Sequence, residues 1–333
     1  MAPANAQSVP GTYFSIEGGG ACGFGDELGV PSGDVTAFSQ SVNTPFGLYA
    51  ITQGLTNISS ALELGNGGCG WTGRVGLESK GGGLFRLGDS WGLFVRHSDI
   101  NSDNETASAT SAFFNEFTLN GTNLFRAVAP IQLSGVFAGE YEEKRTVVDF
   151  EVGQDIGIGG GSKTRVFGGV RYAHFKAETN LNTTSGNGFG TPTYANIIPV
   201  GIDSESKFQG AGPRIGVQTT FPISSRIGLS LGASGSILWG RQKVETTVNG
   251  AFLNLPTTRT NFKDSDTTWV GNVEGEAALN FEPFGRGMGQ LDIGVRAEGW
   301  FRQSEDYAEA VGGGDKQDRH NWGPFGRFTM KIN

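Results

Sequence analysis

The sequence contains no run approaching the roughly 18 consecutive apolar residues of a membrane-spanning helix. A transmembrane helix is therefore excluded, but a transmembrane β-barrel is not. A barrel crosses with strands of about 9 to 11 residues, of which only alternate ones need be apolar, and a mean hydropathy of −0.23 is compatible with that. Charge is scarce too: Asp, Glu, Lys and Arg make up 17% of the chain, against roughly 25% in ordinary soluble domains. Basic residues are outnumbered 25 to 33 by acidic ones, giving a net charge of −8 and no basic stripe. Without clustered cations to neutralise phosphates, nucleic acid is excluded as a partner. There are only two cysteines, Cys22 and Cys69. They fall just past one expected strand and just before the next, which suits a disulfide across a hairpin mouth in an oxidising compartment; two unrelated buried thiols are the alternative.

Glycine is abundant, 55 of 333 residues, and the dominant pattern is alternation. In residues 146–158, Val148, Phe150, Val152, Ile156 and Ile158 alternate with Val147, Asp149, Glu151, Gly153 and Asp155, a period of two. Gly159, Gly160, Gly161 and Ser162 then allow a tight reversal into a second arm, where Val166, Val170 and Tyr172 alternate with Arg165, Phe167, Gly169 and Arg171. The result is a long hairpin, apolar on one side and charged on the other. In a soluble sandwich its charged face is wet; in a membrane barrel its apolar face meets lipid and its charges line the bore.

The order of connections favours the barrel. Those after Leu77, Ile158, Phe221 and Glu282 read as short, whereas those after Gly20, Ser98, Phe175, Thr247 and Arg302 read as long. Short turns on one side and long loops on the other mark an outer-membrane barrel. We count about ten strands in a single barrel domain over 1–333, or twelve if the first loop, 21–68, hides a pair; residues 100–143 and 183–204 read as further loops. Trp71, Trp269 and Trp322 fall near the loop ends of strands, and Trp91, Phe221, Phe281 and Phe284 near the turn side, as interfacial girdles do. Trp300 has bore parity, so either a bulge intervenes or it plugs the bore. Ala4-Asn5-Ala6 resembles the end of a removed signal. The alternating strand 325–332 resembles the C-terminal strand read by the barrel-assembly machinery, although it ends in Asn333 and not an aromatic.

The segments VDFEVGQDIGIG, RVFGGVRYAHF and FQGAGPRIGVQTTF, with Arg165, Gly169, Val170, Arg171 and Tyr172 in the pattern Arg, then Gly-Val-Arg-Tyr, resemble the Legionella-type major outer membrane protein family. The resemblance is strongest over residues 141–247. It implies a β-barrel in the bacterial outer membrane with porin-like activity, and brings no catalytic motif.

Three enzymatic patterns are discounted. Residues 18–23 fit GxGxxG, but no helix follows to hold a pyrophosphate. Residues 157–164 nearly fit a phosphate-binding loop, with strand where helix is needed. Residues 88–92 fit GxSxG but run from turn into strand. A lipid-modifying barrel enzyme has only His97, His174 and His320 as bases, with no serine spaced to pair with them. The oxygens of 99–103 begin a calcium loop, but Asn104 and Thr110 replace its glycine and bidentate Glu. The expectation is a non-enzymatic pore without metal or cofactor, embedded in outer-membrane lipid, with homo-oligomerisation left open. Parity lines its lumen with Arg74, Arg96, Arg165, Arg171, Arg214, Arg296 and Arg327 against Asp149, Glu151, Asp155, Glu274, Glu276, Asp292 and Glu298. In a wide bore such rings select ions; in a ten-stranded one they pair and fill it. A structural or adhesive surface barrel with a filled bore is the other reading.

Overall fold

The computed structural model describes residues 10–25, 35–44, 47–60, 68–81, 88–119, 122–157, 162–188, 200–250, 258–282, 288–305 and 316–333. Among these residues the chain forms only strands: β1 (Gly11–Gly25), β2 (Val35–Thr44), β3 (Gly47–Ser60), β4 (Cys69–Lys80), β5 (Ser90–Leu119), β6 (Thr122–Gly157), β7 (Lys163–Gly188), β8 (Val200–Pro222), β9 (Ile227–Gly250), β10 (Thr258–Phe281), β11 (Gly289–Glu305) and β12 (Lys316–Lys331). The first strand pairs with both β4 and β12, and from β4 to β12 each strand pairs antiparallel with the next, so ten strands close into a ring. The count of ten therefore holds for the wall. The pair suspected in the first loop exists as β2 and β3, but it lies outside the wall, joined to the distal end of β5 from Tyr49↔Leu119 to Ser60↔Ala109.

Register fixes the tilt. Stepping from Glu17 through Arg74, Arg96, Val147, Ala173, Gly210 and Gly240 arrives at Thr268 on β10. Stepping the other way, through Arg327 and Asp292, arrives at Asn280 on the same strand. A ring that fails to meet itself by this much must tilt its strands, and a tilted ring of ten leaves an interior that side chains can span.

Alternation assigns the faces. Ile215 points outward and is 68% exposed, whereas Arg171 points inward and is 0% exposed. Ile16, Val75, Leu93, Val170, Ile237, Val273 and Ile293 are exposed like Ile215. In water this apolar belt would be untenable; in a bilayer it is the lipid-facing surface. Trp71, Trp239, Trp269 and Trp322 stand exposed toward its loop side and Phe221 toward its turn side, roughly ten residues apart along the strands, as a band about 25 Å tall requires. Phe284 lies outside the described residues, as do Ala4 to Ala6.

The expected loops require correction. Residues 100–143 are mostly paired: β5 continues to Leu119 and β6 begins at Thr122. The expected loop 183–204 shrinks in the same way, since β7 runs to Gly188 and β8 begins at Val200. Likewise β10 begins at Thr258, β11 reaches Glu305 and β12 begins at Lys316. Beyond the lipid, neither face of a strand has to be apolar, so the hydropathy alternation fades while backbone pairing carries on. The segment 99–103, whose oxygens begin a calcium-loop pattern, lies within β5.

Cys22 and Cys69 are register partners on β1 and β4 and are joined by a disulfide. It ties the base of the excursion that contains β2 and β3. At the opposite rim the start of β1 meets residues 332–333: Thr12 donates its N–H to the Asn333 carbonyl (2.8 Å) and Ile332 donates to Thr12 O (2.8 Å).

Candidate functional site

The site is the bore. Arg74, Arg96, Asp149, Glu151, Arg165, Arg171, Arg214, Glu274, Glu276, Asp292, Arg296, Glu298 and Arg327 occupy inward positions, and most are buried. Asp155 has the same parity but stands exposed at the turn-side rim, where its N–H donates to Asp89 Oδ2 (3.3 Å).

These side chains form one connected lattice. At its centre Glu274 of β10 meets four arginines: Arg171 at 3.0 Å, Arg96 at 3.1 Å, Arg296 at 3.4 Å and Arg214 at 3.6 Å. Those four come from β7, β5, β11 and β8, so guanidinium groups converge on one carboxylate from several sides of the wall. Arg171 forks onto both oxygens of Asp149 (2.6 and 2.8 Å) and also donates to Asn272; this planar two-point match is the strong form of the pair. Arg214 pairs with Glu151, and Arg165 reaches both Glu151 and Glu78 at 3.4 Å. Nearer β1, Arg296 grips Glu17 at 2.5 and 2.9 Å and Glu276 at 2.6 Å. Arg327 joins Glu276 at 2.6 Å and Asp292 at 2.9 Å.

The pairs that cross the ring matter most. Strands β5 and β10 stand on opposite sides of it, as do β6 and β11. Arg96–Glu274 and Arg145–Glu298 (3.2 Å) therefore span the bore from wall to wall. The charges are thus not two wet rows facing an aqueous lumen; they neutralise one another across it. Several donors in the lattice, Arg96 Nη2, Arg165 Nη2 and Arg214 Nε among them, have no hydrogen-bond partner among the described residues, so this set of pairings leaves capacity for others.

Inward glycines make such reach feasible. A Cβ on Gly153 would collide with the Arg165 guanidinium, and one on Gly216 with the Phe167 ring. The bulk omitted at these positions is filled by long side chains from neighbouring strands.

Toward the loop side the chemistry changes. Val147, Ala173, Phe175, Phe208, Leu238, Val270 and Trp300 form a buried apolar layer within the barrel. The Trp300 ring meets Phe175 edge-on with centroids 4.6 Å apart, and Phe175 stacks on Phe208 at 5.5 Å. Trp300 therefore does fill the bore, and a register shift also follows it, between Trp300 and Ser304, with Arg302 in the left-handed region at φ 61°. Arg145 joins the two chemistries: it lies over Phe175 (5.3 Å) and Trp300 (5.0 Å) and pairs with Glu143 and Glu298. Trp300 Nε1 donates to Glu298 Oε2 at 3.1 Å. Toward the turn side the bore widens instead into a cavity of about 250 Å³, lined by Tyr13, Glu78, Glu151, Arg165, Glu282 and Arg327 among others.

Sequence reasoning missed Glu17, Glu78, Glu143 and Arg145 as members of the lattice. Glu17 shares the parity of Tyr13, and Glu78 that of Arg74, so both were discoverable. Glu143 closes the expected loop 100–143, and Arg145 lies between that loop and the hairpin arm that begins at residue 146.

A family model described as Legionella pneumophila major outer membrane protein precursor matches residues 82–332. Among solved structures, the chain is similar to the outer membrane protease OmpT of Escherichia coli, with 7% identity, 97% of each chain covered and a TM-score of 0.43. It is also similar to OprG of Pseudomonas aeruginosa, with 10% identity, coverage of 98% and 99% and a TM-score of 0.28. A third is the toluene transporter TodX of Pseudomonas putida, with 6% identity, coverage of 97% and 90% and a TM-score of 0.26. No curated protein matches the chain.

Proposed function

The chain belongs to the Legionella major outer membrane protein family, and from that premise we propose that it is a passive, non-enzymatic outer-membrane channel. Its bore is held shut at rest by cross-barrel ion pairs and passes ions or small solutes when those pairs exchange partners. The observation that carries this reading is Glu274, held between four arginines at 3.0 to 3.6 Å. A carboxylate with several competing cations can lose one without becoming a bare buried charge, so rearrangement there avoids the largest penalty of breaking an ion pair. Stability alone is a weak reason for such a lattice, because apolar side chains of similar volume fill a bore at least as favourably. Intermixed acids and bases leave little net field, so weak selectivity for ion charge is expected.

A specific observation supports a second reading, a surface barrel whose distal strands do the work: β5 and β6 extend 30 and 36 residues, well beyond the 9 to 11 that cross a bilayer. Planar-bilayer recordings separate the two. The channel predicts brief, small openings in the native protein and larger ones in the double variant Arg145→Gln, Glu298→Gln, which removes both members of a wall-to-wall pair and leaves Glu143 its hydrogen bond from Tyr141 and Arg96 its pair with Glu274. Silence from both proteins, each folded, would favour the surface barrel.

A further inference from the structure

The outer face of β6 to β9, above the aromatic belt, carries one order of residues four times. Moving away from the membrane, β9 presents Trp239, Arg241, Lys243 and Glu245; β7 presents Tyr172, His174, Lys176 and Glu178; β8 presents Ala211, Gln209, Lys207 and Glu205; β6 presents Val148, Thr146, Lys144 and Glu142. Pairing sets these rows side by side. Lys144, Lys176, Lys207 and Lys243 are consecutive register partners, and so are Glu142, Glu178, Glu205 and Glu245. Strands are about 4.8 Å apart, so each row places four like charges next to one another, an arrangement unfavourable in isolation.

Pairing with the glutamates offsets part of that repulsion: Lys144 binds Glu142, Lys176 binds Glu178 and reaches Glu205 at 3.3 Å, and Lys207 binds Glu205. Internal neutralisation does not explain the order, since it would serve equally well with glutamates nearer the membrane. In all four strands the cation is on the membrane side. Arg241 adds a further exposed cation beneath Lys243, while Asp99, the register partner of Lys144, bounds the patch on β5. Lys144 and Lys207 keep 44% and 42% of their side chains exposed.

We propose that this lysine row docks the phosphate groups of phosphorylated glycolipid headgroups in the outer leaflet, with the glutamate row setting the outer limit of the site. Aromatic side chains such as Trp239 and Trp269 mark the interface, and the lysines stand a few residues beyond it, at the depth where headgroup phosphates sit. Phosphate oxygens approaching from the membrane would complete the neutralisation that the glutamates begin from the other side. This inference depends on the chain's place in the outer membrane and not on conduction.

The test is native mass spectrometry of the folded protein with diphosphoryl lipid A, with the same glycolipid lacking its phosphates, and with inorganic phosphate as competitor. The fourfold variant Lys144→Gln, Lys176→Gln, Lys207→Gln, Lys243→Gln is expected to retain roughly tenfold less diphosphoryl lipid, and excess inorganic phosphate is expected to leave the native complex intact. If the fourfold variant does not fold, as read by heat-dependent gel mobility, the pair Lys207→Gln, Lys243→Gln should still lower retention severalfold. Changing Glu205 and Glu245 to Gln should raise it. Equal retention by the folded lysine variants, equal retention of the phosphate-free lipid, or displacement by inorganic phosphate would overturn the proposal.

Discussion

The middle of the bore and its loop-side end are both filled, but with opposite chemistry. In the middle, Glu274, Asp149, Glu17 and Glu276 are threaded between arginines from strands all round the ring. A short distance along the axis, Trp300, Phe175, Phe208, Leu238 and Val270 pack without a charge among them. The ionic region has degenerate partners, so it can rearrange by exchange. The apolar region is held by shape, and any rearrangement opens a void. One barrel thus combines an ionic layer that can exchange partners with an apolar layer held by shape, and Arg145, in contact with both, marks the boundary.

The largest expected effect comes from emptying the ionic hub. Glu274→Ala leaves four buried guanidinium groups short of their shared acceptor, and a loss of about 3 to 5 kcal/mol in folding stability is expected. Denaturant unfolding in detergent would measure it; a loss under 1 kcal/mol would show that the neighbouring carboxylates absorb Glu274's role completely. Next, Trp300→Ala removes the largest side chain of the apolar layer. It should lower stability by about 3 kcal/mol, yet leave bilayer currents near the native level, because the cross-bore ion pairs below it persist. A wide steady opening in Trp300→Ala would reverse the assignment of the seal.

The smallest effect contrasts the sheltered lattice with the exposed ion pairs outside the membrane. A hydrogen bond from Lys144 lowers the Glu142 carboxyl below its ordinary value. Burial raises that of Glu205, but hydrogen bonds from Lys207 and Lys176 outweigh it and the net shift is also downward. A depressed carboxylate contributes stability above its unfolded value of about 4.3 and loses it as pH falls through the lower folded value. Hydrogen-exchange protection in residues 141–145, 174–179 and 203–209 should therefore fall below about pH 4, while the membrane-embedded backbone stays protected. Uniform loss of protection across both regions would sink the distinction.

Much of the wall was legible in residue order. In 146–175 the alternation of Val148, Phe150 and Val152 with Asp149 and Glu151 is strict because one face must satisfy lipid and the other must not. Beyond the lipid that constraint lapses, and so residues 100–143 read as loop although they pair. Parity also put Arg171 and Glu274 on the same interior surface, yet they stand on β7 and β10, far apart in sequence. No spacing rule specifies that they touch.

By itself, then, the sequence determined a barrel, its face assignment, its side of short turns and its complement of interior charges, because lipid imposes a period of two on every strand that crosses it. Whether those charges face water or one another was decided only by the tertiary structure. Ten staggered strands set the diameter, and at that diameter an arginine from one wall meets a glutamate from the wall opposite.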